Sequence, residues 1–116
     1  MKRWTETNNP SAGTTCVISV AAAGRSRHVI DQLLVSQRNQ TAASKTATVT
    51  VRDASPAGTV LAQFELLTAT NTAGQVNPQL EVRGLKNNAL VAIVDPPAAS
   101  VTQKITAAGH TEAEPY

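Results

Sequence analysis

Two histidines, His28 and His110, one cysteine, Cys16, and a few scattered carboxylates are the residues of this chain best suited to acid–base, nucleophilic or metal chemistry. Each such chemistry needs a particular grouping. A zinc site needs three or four Cys, His or carboxylate ligands at short spacings. Neither histidine has a carboxylate or thiol at a metal-ligand spacing, so no metal centre is expected. His28 is expected to cap a strand, and His110 to lie on a tail. A glycosidase needs two facing carboxylates. Asp31, Asp53, Asp95, Glu65 and Glu81 show no pairing by spacing, and Glu65 and Glu81 fall on outward strand positions. No GxSxG elbow, P-loop or GxGxxG is present. Cys16 lies in TCVISVAA, with Ile18, Val20 and Ala22 on its own face. That pattern predicts a buried, inert thiol, and one cysteine excludes an internal disulfide. The expectation is a protein that is not an enzyme and needs no cofactor.

The elements that must position these residues centre on Lys45–Leu67. In KTATVTVRD, Ala47, Val49 and Val51 alternate with Thr46, Thr48, Thr50 and Arg52. In GTVLAQFELL, Val60, Ala62, Phe64 and Leu66 share a face, while Gln63 and Glu65 take the other. Successive side chains of a strand point to opposite faces, so both segments read as amphipathic strands. Asp53-Ala54-Ser55-Pro56-Ala57-Gly58 supplies the turn between them. Such a hairpin needs a second apolar layer.

The rest of the chain offers that layer as short strands with turn signals between them. Thr15–Ala23 reads as a strand with Cys16, Ile18, Val20 and Ala22 inward. His28–Ser36 reads as another, with Val29, Leu33 and Val35 inward, Ile30 and Leu34 outward and Asp31 as an irregularity. The spacing of Ile30, Leu33 and Leu34 also fits a helix, but the β-branched strands around it favour a strand. Gln37–Ser44 and Thr68–Gln79 read as loops, the second unusually long. Leu80–Arg83 is a short strand. Ala89–Val94 is apolar on both faces, so it is either a central strand covered on both sides or a strand whose outer face, with Val91 and Ile93, meets another subunit. Ala99–Ala107 alternates again. The fold class expected is all-β, a single antiparallel β-sandwich or barrel of seven to eight strands, jelly-roll or immunoglobulin-like. Residues 1–14 are polar and turn-rich and read as a flexible N-terminal arm, 15–110 as the sandwich and 111–116 as a C-terminal tail. Trp4 on that arm either folds back onto its own domain or anchors the arm on a neighbour.

Composition narrows the partners. With a net charge of +2, 16% charged residues and 3% aromatics, the chain lacks the basic stripe with interleaved aromatics of nucleic-acid binders. No apolar run reaches the length of a transmembrane helix. Lys2, Arg3 and the later CVISVAAAG imitate a secretory signal, but TETNNPSAGTT interrupts it. Neither nucleic acid nor membrane is an expected partner.

The run HVIDQLLVSQ, then TATVTVRDASPAGTVLAQFEL, then ALVAIVDPPAASVTQKITAAGH carries a resemblance. With the Ala/Thr/Val-rich composition, it resembles the small β-sandwich head-decoration (cement) proteins of tailed bacteriophages over Thr15–His110. The resemblance implies a homotrimer on the outer capsid surface of the virion, made in the host cytoplasm, that binds between major capsid protein subunits and stabilises the shell. It makes residues 1–14, with Lys2, Arg3 and Trp4, the contact arm, and Val91 and Ile93 a second contact. It transfers no catalytic or ligand residue. The alternatives are a receptor- or glycan-binding module of a phage tail or host-range protein, and an accessory domain of a bacterial surface system. Glycan binding usually uses aromatic platforms, which are scarce here.

Overall fold

Alternation of β-branched and polar residues is carried out along nearly the whole chain. The computed structural model describes residues 2–78 and 81–113, and every regular element among them is a strand. In order these are β1 (Lys2–Asn8), β2 (Cys16–Val20), β3 (Ser26–Asn39), β4 (Lys45–Asp53), β5 (Val60–Thr68), β6 (Thr72–Val76), β7 (Val82–Arg83), β8 (Leu90–Asp95) and β9 (Val101–Ala113). They form two antiparallel sheets. Sheet A runs β1-β9-β3-β6, with β7 also on β3, and sheet B runs β2-β8-β4-β5. The pairs β1·β9, β2·β8, β3·β6/β7 and β4·β5 are those of one long folded hairpin, rolled so that β3 meets β9 and β4 meets β8. That is the jelly-roll arrangement, and it sets aside the immunoglobulin-like alternative.

The apolar faces meet between the sheets. Ile18, Val49, Val51, Leu90 and Val94 of sheet B pack against Ile30, Leu33, Val35, Ile105 and Ala107 of sheet A. A β-bulge at Asp31 shifts the register of β3 against β9. The extra residue reverses the face assignment upstream of it. Ile30 therefore points into the core at 1% exposure, and Val29 takes the opposite face beside Arg83 and His110. This corrects the expected orientation of both residues.

Several boundaries are corrected as well. Residues 2–8 are no arm: β1 pairs with β9 along its full length, from Lys2↔Thr111 to Asn8↔Ile105. The stretch is polar because an edge strand has solvent beside it. Trp4 folds back onto its own domain, packs on the core and meets His28 edge-to-face at 6.3 Å. The long loop after Thr68 contains β6, and β3 continues to Asn39. His110 through Ala113 belong to β9 and not to a tail. Leu80 and the end of the expected tail, 114–116, lie outside the described residues.

The turn between β4 and β5 depends on Gly58. A Cβ there would lie 1.7 Å from the Asp53 carbonyl oxygen, which no side chain can tolerate.

Candidate functional site

Because β9 continues past Gly109, His110 is held in the middle of sheet A, opposite Arg3 on one side and Val29 on the other. The bulge turns Asp31 towards it. His110 Nδ1 donates to Asp31 Oδ2 at 2.7 Å, and Nε2 donates to Glu112 Oε1 at 2.8 Å. Glu112 also accepts from Arg83 Nη1 at 2.9 Å, and Arg83 Nε lies 3.0 Å from Glu81 Oε1. Three strands, β3, β9 and β7, are thus tied by one chain of charges on the outer face of sheet A.

The electrostatics follow from the geometry. The hydrogen bond to Asp31, then that to Glu112, hold the His110 pKa above its ordinary value. The same bond from His110, then that from Arg83, hold the Glu112 carboxyl below its ordinary value. When the ring is protonated, both nitrogens donate and both are engaged, one to each carboxylate. The two carboxylates lie on opposite nitrogens, so the three groups do not converge on one ion. Among the described residues no cluster of His, Cys, Asp and Glu is arranged to hold a metal. The arrangement acts as a fixed electrostatic tie.

A pH dependence results. A histidine whose folded pKa is raised stabilises the fold fully below its unfolded value of about 6.5. That contribution is lost as pH rises through the folded value. The thermal midpoint is therefore expected to fall as pH is raised above neutral, and H110Q is expected to flatten that limb. A midpoint that rises over the same range in the wild type contradicts the assignment. On the acid side the Glu112 contribution is lost as pH falls through its lowered value.

His28 is a structural residue. It is 4% exposed, and Nε2 donates to the Ala21 carbonyl at 2.6 Å. In the neutral ring Nδ1 accepts from the Thr111 hydroxyl at 2.8 Å. Cys16 is fully buried, and burial pushes its thiol pKa up.

The residues expected to make contacts fare differently. Lys2 and Arg3 are exposed on β1. Trp4 is half-buried and serves the core. Val91 and Ile93 are on the outer face of sheet B but only 3% and 7% exposed, beside Arg52 and Thr50 of β4. They present no open apolar patch: β8 is a central strand of sheet B covered on both faces, the first of the two alternatives, and their expected role as a contact is corrected. Sequence reading missed the His110 network. Its one local signal is His110-x-Glu112, a spacing that puts two side chains on one strand face.

Two open grooves lie on the outer face of sheet A. One of about 490 Å³ runs over Ala108 and Gly109, flanked by Arg3, Asp31, Gln32 and His110. The other, of about 440 Å³, lies at the β6 end. No family model matches the chain, and comparison with curated proteins gave no match.

Proposed function

We propose that this chain is a non-enzymatic structural protein of a virion. In this reading it decorates a bacteriophage capsid and stabilises it by binding between major capsid protein subunits, as a homotrimer. The observation that carries the reading is the outer face of sheet A. It is built on the two longest strands, β3 of 14 residues and β9 of 13, in a body 55 Å along its long axis. One end is stiffened by the His110 charge chain, the middle carries Thr7 and Thr106 beside the exposed Leu34, and the far end is cationic. A long, rigid face with distributed polar groups suits many weak contacts repeated over a symmetric assembly. Viral capsid domains are among the users of the jelly roll, which supports the reading by analogy of fold.

The test uses shells assembled from the major capsid protein that this reading makes the partner. Added protein is expected to raise the temperature at which expanded shells disrupt, by several degrees. Shells that melt identically with and without it contradict the proposal.

A further inference from the structure

The groove at the β6 end of sheet A has no place in the charge network and carries its own chemistry. Its polar rim is Asn9, Ser36, Arg38, Gln40, Thr102 and Lys104, and no carboxylate lines it. Ser36 pairs with Lys104 and Arg38 with Thr102 across β3 and β9, so the two cations are diagonal neighbours on one face. Diagonal positions put side chains about 7–8 Å apart at their roots. Both cations are exposed, and neither has an ion pair within the described residues. Beneath them, Gln37 and Gln103 are 2% and 3% exposed and bonded to each other at 2.9 Å. Gln37 also donates to Thr68 Oγ1 at 3.1 Å, and Gln103 to the Pro96 carbonyl at 3.2 Å. These amides lie on the core side of the sheet, so β3 and β9 are tied together beneath the groove before anything binds.

We infer that this groove receives an acidic segment of a partner protein, with Arg38 and Lys104 taking its carboxylates and the hydroxyls of Ser36 and Thr102 its main-chain groups. The inference rests on the proposed function for the identity of that partner, the major capsid protein. Two features favour a peptide over a sugar. No aromatic side chain lines the groove to stack on a sugar ring. The groove ends at Ala73 of β6, the edge strand of sheet A, which pairs with β3 on one side only, so an extended segment lying across the face can continue to a free sheet edge.

The experiment has two arms. In the first, the full chain is titrated at low salt with a hexaglutamate peptide and followed by amide NMR. Hexaglutamine and an oligogalacturonate serve as comparisons. Shifts confined to residues 36–40 and 102–104 are expected with hexaglutamate alone. They are expected to weaken about tenfold in Arg38→Glu/Lys104→Glu, since like charges oppose binding. The variant's own spectrum verifies its fold. Absent shifts, shifts that persist in the variant, or binding of oligogalacturonate in preference to the peptide overturn the inference. In the second arm, the variant and the wild type are added to shells. Loss of shell binding in the variant supports the inference, and equal binding overturns the assignment to the capsid. If the wild type ignores shells while hexaglutamate fills the groove, the proposed function fails and the groove's acidic-peptide specificity stands.

Discussion

Replacing Asn39 with alanine is expected to cost about 3–4 kcal/mol of folding stability. Asn39 is fully buried at the end of β3, between the sheets. Its Nδ2 donates to the carbonyls of Ala43, Thr68 and Ala69 at 2.7, 3.2 and 3.3 Å. Its Oδ1 accepts from the Thr41 amide at 2.9 Å and the Thr41 hydroxyl at 2.6 Å. One side chain thus closes the loop after β3 and ties it to the end of β5. Alanine strands the buried Thr68 carbonyl, at roughly 1–3 kcal/mol, and also forfeits the bonds to the loop groups of Thr41, Ala43 and Ala69, which solvent can reach. Urea unfolding measures the effect: the midpoint should fall sharply with the slope nearly unchanged. A loss under about 1 kcal/mol would mean that the loop repacks freely and that the network is not a structural closure.

Gly109→Ala is expected to be damaging to a similar degree, about 3 kcal/mol or more. A Cβ at Gly109 would stand 2.0 Å from the Val29 carbonyl oxygen and 2.5 Å from the Trp4 ring. The ring could move, but the carbonyl belongs to β3, next to the bulge that aims Asp31. Relief requires β3 and β9 to part where the His110 chain is built. The expected signature is twofold: a lower thermal midpoint, and a weaker alkaline fall of that midpoint because His110 no longer meets both carboxylates. Adding Trp4→Ala should not restore stability. Full rescue by Trp4→Ala would show that the ring alone makes the glycine necessary.

The residues that alternate most regularly were the most legible. Lys45–Leu67 pairs as a hairpin, Thr48 opposite Glu65 and Val49 opposite Phe64, because each strand has one apolar face and a Gly-bearing turn joins them. β1 and β6 were illegible for a common reason. Both are edge strands whose stability comes from pairing on one side, so neither needs an apolar face of its own. The bulge at Asp31 breaks the period of two, and through it Val29 and Ile30 exchange faces. Buried amides misled in another way. Gln37 and Asn39 read as loop polarity, yet they fill the sandwich end because each finds partners there. Of the His110 network only the His110-x-Glu112 spacing is local; the approach of Asp31 and Arg83 depends on the bulge and on β9 running on to Ala113, which only the register reveals.

Binding of the full chain to expanded shells, measured by co-sedimentation over a range of protein concentrations, decides whether this chain is a capsid-decorating protein. Saturation is expected at a fixed number of chains per capsid subunit, in keeping with one contact repeated over the lattice. Binding that never saturates, or no sedimentation with shells at any concentration, would contradict it.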